Sequence, residues 1–292
     1  MTNLILGTAN FGNNYGITNG IINQKSTKKI LDLAKKKNIK TIDTAYLYNN
    51  SYEALSIANI GDFRITTKTP KFLEFSNENE LLNSLYKFID KTDELLGLKN
   101  VEAILFHNSA DLSSKYGSLL YKKLKELTKP YNVKIGISVY DEAELLLANE
   151  YDIDIVQAPL NIFDQRFIAR DINKFFKSKN IELHARSIFL QGLLLMDLEF
   201  VKQKHPMILP HILDLDTRCL ELGVSKLNIC LSFIKSVRSL SYCVIGCSSA
   251  ENLLEIVNCI DEMERKNKLE INFSNFHVNN SSITDPRKWQ KI

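Results

Sequence analysis

The stretch TIDTAYLYNNSYE, residues 41–53, decides how this chain is read. A β-rich run, Lys40-Thr41-Ile42, ends on Asp43, and Tyr48 follows five residues later in a polar loop. A buried strand that delivers first a carboxylate and then a phenol into a loop has the form of a catalytic edge. Two later strand ends carry matching chemistry: Lys68 in RITTKTP and His107 in AILFHN. Asp, Lys and His thus stand at the C-terminal ends of three different strands, with the tyrosine just beyond the first. A parallel barrel is the simplest fold that gathers such ends at one mouth.

Outward from this stretch, strand-like and helix-like segments alternate. Strands are expected at residues 3–7, 39–43, 63–67, 101–106, 133–138, 153–157, 181–185 and 242–245, all short and rich in Ile, Val and Leu. Amphipathic helical patterns fall at 26–37, 51–58, 78–96, 115–128, 141–148, 168–178, 225–237 and 250–265, with an extra helix near 207–222. Short apolar strands separated by helices imply a parallel sheet covered by helices. Eight such units in 292 residues suit a closed α/β fold, the (β/α)8 TIM barrel. The competing doubly wound open sheet carries a G-x-G-x-x-G turn after its first strand. Here that turn reads GTANFGNNYG, which has another spacing and no helix after it. No repeat or linker interrupts the pattern, so residues 1–292 are read as a single barrel domain with a C-terminal tail. The tail, after residue 266, closes in TDPRKW with the one tryptophan; it is expected to pack across the barrel mouth or flank, with a loose terminus as the alternative.

Composition narrows the function. Hydrophobic residues make up 45% and charged residues 24%, ordinary for a soluble globular protein. A net charge of +3 predicts neither a nucleic-acid nor a membrane partner. The lysines of STKKILDLAKKK read as a solvated helix face. The five cysteines lie after residue 218 without metal-like spacing, which suggests reduced thiols in a cytoplasmic protein. No signal peptide is read at the N-terminus, and no apolar run approaches the roughly 20 residues of a membrane span.

The motif Asp43-Thr44-Ala45-Tyr46-Leu47-Tyr48, followed by Lys68 and His107, resembles the aldo-keto reductase superfamily, and the resemblance runs from LGTANFG to VIGCSSAENLLEI. It implies a (β/α)8 barrel, a catalytic tetrad of Asp43, Tyr48, Lys68 and His107, and a bacterial subgroup near surface-polysaccharide or sugar-nucleotide biosynthesis. The chemistry of such a tetrad can be argued directly. Reducing a carbonyl needs a hydride on carbon and a proton on oxygen. Tyr48 is the expected donor, and a cationic Lys68 beside it is expected to lower its pKa from about 10. Asp43 would hold Lys68, and His107 would orient the substrate oxygen. The hydride calls for a nicotinamide, since no side chain supplies one. Taken singly, each residue has a plainer role: a helix cap, a surface aromatic, a solvated lysine, a strand-end histidine. Their order on successive strand ends favours the catalytic reading. His184, His205, His211 and His277 show no partner pattern and read as structural or surface residues, with His184 placed near the mouth on strand seven.

The resemblance also implies a cofactor wall. At the front are Gly7 and Thr8 of the first turn. Ser138 and Gln157 stand where the family contacts the nicotinamide amide, although Val139 replaces the usual Asn. Arg186 takes the place of an aromatic residue that stacks on the nicotinamide; a planar guanidinium is expected to stack likewise, with pairing to an anionic substrate group as the alternative. Ser187, Leu190, Gln191 and Gly192 are expected along the pyrophosphate, with an apolar helix start as the alternative for this run. The turn containing Gly246, Cys247, Ser248 and Asn252 precedes a helix whose N-terminus suits a phosphate. NADPH is the family's usual cofactor, but the uncharged side chains of this turn leave NADH open.

A small-molecule carbonyl compound, first a sugar or sugar derivative and second a simple aldehyde, is the expected substrate; oligomeric state is left open. Two rival classes are a nicotinamide-binding regulatory barrel with little turnover, and a barrel lyase or isomerase using Lys68 as a Schiff base.

Overall fold

The computed structural model describes residues 3–14, 16, 20–265 and 271–289. Strand β1 spans Asn3–Gly7, β2 Thr41–Asp43, β3 Arg64–Lys68, β4 Val101–Phe106, β5 Lys134–Ser138, β6 Ile155–Pro159, β7 Glu182–Arg186 and β8 Leu240–Ile245. All pair in parallel with their sequence neighbours, and β8 pairs with β1 to close the barrel. The eight expected strands are present, each end displaced by two residues or fewer; β6 runs two residues later than expected, from 155 to 159.

The helices are α1 Gln24–Lys36, α2 Ser51–Ile57, α3 Glu78–Leu96, α4 Gly117–Thr128, α5 Leu147–Glu150, α6 Arg170–Lys179, α7 Leu198–Lys204, α8 Leu209–Leu222, α9 Lys226–Ser236, α10 Ala250–Arg265 and α11 Ser281–Thr284. Their starts follow from side-chain caps. Asn23, Asn77, Asp197 and Ser225 accept from the backbone N–H of Ser26, Glu80, Phe200 and Asn228. Such a cap typically contributes about 1 kcal/mol. The helix expected at 141–148 is instead a 3-10 turn, Glu142–Leu146, running into the short α5; a capping box of Asp141 and Glu144 opens it. The sequence reading missed α7, a seven-residue segment. Among the described residues no helix is long and apolar enough to cross a membrane.

The period of two along each strand sorts side chains between two cores. Ile42, Ile65, Ile104, Phe106, Ile135, Ile137, Val156, Leu183 and Ile245 join the core between strands and helices. Ala103, Leu105 and Ile155 form a separate small cluster that fills the lumen. Gly136 belongs to the lumen too: a Cβ there would strike Leu105 Cδ2 and lie 2.5 Å from Ile155 O. At the N-terminal end, Thr41, Thr66, Ile5 and His184 line one small cavity. Two residues further along the same strands stand Asp43, Lys68, Gly7 and Arg186. One alternation thus places these four expected site residues in a single lumen-facing layer at the C-terminal mouth.

The tail crosses that mouth. Val278 N–H donates to Phe163 O at 2.9 Å, and Gln165, in the loop after β6, donates to Phe273 O at 2.7 Å. The Trp289 ring lies 4.6 Å from His205.

Candidate active site

Asp43 ends β2 with its side chain buried at 3% exposure, and Lys68 ends β3 at 1%. Lys68 Nζ donates to Asp43 Oδ1 at 2.5 Å and to Thr44 O at 3.1 Å. The second carboxylate oxygen is also taken: Gln157 Nε2 donates to Asp43 Oδ2 at 2.7 Å. A carboxylate only accepts, so the amide must turn its nitrogen this way. Gln157 therefore braces the ion pair from across the barrel, and its Oε1 is left buried without a partner.

The loop carrying Tyr48 is tied down by Asn13, whose Nδ2 donates to Tyr48 O at 2.8 Å and whose Oδ1 accepts from Asn50 N–H at 3.3 Å. Tyr48 is half-buried, its ring 5.4 Å from Lys68 Nζ and edge-to-face with His107 at 5.9 Å. Three members of the expected tetrad thus surround the phenol. The expected acidification does not occur. Burial pushes the Tyr48 pKa above its ordinary value and the Asp43 carboxylate adds to this, opposed by the positive charge of Arg186. The Lys68 ammonium, shared with Asp43, does not outweigh this burial in the resting site. Tyr48 is therefore kept as the neutral phenol, the form that donates a proton.

His107 follows β4 and its backbone N–H donates to Thr69 Oγ1 at 3.3 Å. Burial, then the charges of Lys68, Arg186 and Lys71, depress its pKa to about 3. The ring is a neutral imidazole near pH 7, and Nδ1 is buried without a partner. A neutral imidazole can offer one N–H to a substrate oxygen without adding a charge.

The remaining expected residues divide. Gly7 lies against Val244 and Ile245, where a Cβ would sit 3.1 Å from Val244 Cγ1. The Thr8 hydroxyl is spent on structure, donating to Asp43 O at 3.0 Å and sharing a bond with Ser51 Oγ at 2.9 Å. Ser138 lies beside Gln157 in the β5–β6 register. Arg186 donates through Nη2 to Val139 O at 2.9 Å and stacks on Tyr140 at 4.0 Å from the ring centroid. Ser187, Leu190, Gln191 and Gly192 all have positive φ, so LQGLLL is a broken 3-10 segment rather than a helix start. At the last turn Gly246 and Ser248 are exposed. Ser248 N–H donates to Asn252 Oδ1 at 3.3 Å, and Asn252 N–H to Ser249 Oγ at 3.1 Å. Cys247 is buried and its thiol pKa is pushed up to about 12 by desolvation. His184 lies towards the N-terminal end of the lumen rather than near the mouth, 3.2 Å from Glu182 and with its ring tilted against Tyr242 at 4.8 Å. Sequence reading missed Asn13, Ser51 and Tyr140; the Asn-rich loop after β1 was the one visible signal for Asn13.

Gln157 Oε1 and His107 Nδ1 are buried polar atoms that fit an amide and a polar oxygen brought in by ligands. Residues suited to a nicotinamide are thus present beside the tetrad.

Comparison with curated protein sequences gives no match. Among solved structures, the chain is similar to the holo form of an aldo-keto reductase from Bacillus halodurans, with TM-score 0.73 and 14% identity over 98% of this chain and 95% of that one. It is also similar to a glycerol dehydrogenase from Gluconobacter oxydans, with TM-score 0.68 and 15% identity over 99% and 93%. At such identities the likeness speaks for the fold. The model of the Aldo/keto reductase family matches residues 3–270, nearly the whole barrel. The chain therefore belongs to the aldo/keto reductase family and is an NAD(P)H-dependent oxidoreductase.

Proposed function

We propose that the protein reduces an aldehyde or ketone to an alcohol, with Tyr48 as the proton donor. One observation carries the reading: a buried Lys68–Asp43 pair, braced by Gln157, lies beneath a phenol that also faces a neutral histidine. Bound NAD(P)H supplies the hydride that no side chain can. His107 donates a hydrogen bond to the carbonyl oxygen and holds it towards Tyr48. As negative charge grows on that oxygen, Tyr48 Oη hands over its proton, and the nearby Lys68 ammonium stabilises the phenolate left behind. Asp43 and Gln157 keep Lys68 aimed. Gln157 Oε1 and Ser138 would hold the nicotinamide amide, and the turn from Gly246 to Asn252 the far end of the cofactor. The Schiff-base alternative is disfavoured by the same pair, because a buried ammonium bonded to a carboxylate resists losing the proton that imine formation requires.

NADPH is the family's usual cofactor. NADH use is supported by the uncharged side chains of Cys247, Ser248 and Asn252, and by Glu251, an acidic residue in the first turn of α10. Fluorescence titration with both cofactors separates the two. The substrate class proposed first is a sugar or sugar-derived carbonyl compound, for which the Asn-rich loop after β1 offers amides; part of that loop, residues 15 and 17–19, lies outside the described residues. Tyr48→Phe tests the mechanism: turnover should fall about 100- to 10,000-fold, while cofactor affinity stays within about two-fold. Undiminished turnover would remove Tyr48 from the chemistry.

A further inference from the structure

Three arginines stand around the mouth, and their surroundings differ. Arg166 is clamped by Asp164, through Nε and Nη2 at 2.8 Å each. Arg287 in the tail is clamped by Asp285, through Nε at 3.0 Å and Nη2 at 2.7 Å. Arg186 has no ion-pair partner among the described residues; its contacts are one bond to Val139 O and the face of Tyr140. A cation held partly out of water is normally paired, because desolvating it is costly.

The position of Arg186 is fixed rather than loose. Its guanidinium carbon lies 4.0 Å from the Tyr140 centroid, and that of Arg287 lies 3.5 Å from the same point. Both guanidinium carbons thus lie within 4.0 Å of one ring centroid, and Tyr140 packs against two cations. The side chain reaches from β7 across the end of β6 to the residue after β5, in the layer that also holds Asp43, Lys68 and Gln157. Packing on Tyr140 uses the face of the guanidinium and the bond to Val139 O takes one N–H of Nη2, leaving the other in-plane N–H groups for an oxyanion. Its charge reaches both Tyr48 and His107, lowering the pKa of each.

We propose that Arg186 anchors an anionic group of the substrate, so that the compound reduced carries a carboxylate or a phosphate ester besides its carbonyl. The planar fork, held on edge, matches either oxyanion. This rests on the carbonyl-reductase reading and narrows it to acidic or phosphorylated carbonyl compounds.

The test has a binding arm and a rate arm, both on the full-length protein saturated with oxidised or reduced cofactor. Calorimetry measures inorganic phosphate and succinate binding to the wild type, Arg186→Gln and Arg186→Lys. Initial rates compare glyceraldehyde 3-phosphate with glyceraldehyde, and succinic semialdehyde with butanal; the preferred pair tells phosphate from carboxylate. The wild type should favour the charged member of one pair by about ten-fold or more in kcat/KM, the scale of a charge-assisted hydrogen bond. Arg186→Gln should bring that ratio close to one and abolish anion binding, and Arg186→Lys should keep part of both. Because the ratio is taken within each variant, partial misfolding does not change it. Equal ratios in wild type and Arg186→Gln, no anion binding, or anions that compete with cofactor instead of binding beside it would each overturn the proposal. Arginine-dependent anion binding without reduction of any compound would sink the catalytic reading and leave the anchor standing.

Discussion

Removing the charge of Asp43 gives the sharpest test of how the site is built. The carboxylate accepts on both oxygens, from Lys68 Nζ at 2.5 Å and Gln157 Nε2 at 2.7 Å. In Asp43→Asn the new amide oxygen can still accept from Lys68 if its NH2 turns to Gln157 and that amide flips to accept through Oε1, so hydrogen bonds can be kept but the negative charge is lost. Lys68, 1% exposed, then loses its Asp43 carboxylate partner while buried. Breaking a buried pair in this way costs about 3–5 kcal/mol. For 292 residues the unfolding entropy is roughly 0.6 kcal/mol per kelvin, which makes the expected fall in Tm about 5–8 °C. Lys68→Met should lose a similar amount, because it leaves the carboxylate unpaired. The double variant Asp43→Asn with Lys68→Met has no charge left to strand, and should recover much of the loss. Thermal melts of the four proteins at pH 7.5 read this directly. A double variant as damaged as the sum of the singles, or an Asp43→Asn protein within about 1 °C of wild type, would refute the view that the pair is a coupled buried unit.

The remaining predictions concern pH and packing. His107 has its pKa depressed to about 3, so the unfolded chain takes up a proton between about pH 6.5 and 3 that the native state refuses. Its contribution is present above pH 6.5 and is lost as pH falls, and His107→Gln should make the fall in Tm between pH 7 and 4.5 shallower. Asp111 behaves in the opposite sense. Burial raises its pKa to about 6 despite bonds from Phe72 and Leu73 N–H, and its Oδ2 has no partner. The native state keeps a proton that the unfolded chain releases as pH rises from 3.8 to 6, so stability is lost with rising pH. Asp111→Asn should therefore gain more against wild type at pH 8 than at pH 4, and an equal difference at both would discount the burial argument. Gly136→Ala drives a methyl into Leu105 and to 2.5 Å from the backbone oxygen of Ile155, which cannot step aside. A loss of about 1–3 kcal/mol or more is expected, visible as a lower Tm or poor soluble yield.

By itself the sequence determined the repeat of strand and helix, because runs of Ile, Val and Leu bounded by polar turns have few other ways to bury themselves. It also located Asp43, Tyr48, Lys68 and His107, each marked by lying on or just past a strand end. Tertiary structure decided what these groups do to one another. Gln157 reads locally as a strand-end amide free for a ligand, yet closure of the barrel brings it to Asp43 from the far wall. Lys68 reads as the group that would acidify Tyr48, yet burial of the phenol and the Asp43 carboxylate outweigh the cations around it and keep the ring neutral. Tyr140 shows nothing in sequence, because its role depends on two arginines that only folding brings against its ring. Periodicity is a local property of the chain and can be read along it; charge balance and desolvation depend on neighbours distant in sequence, and only the packed molecule fixes which those are.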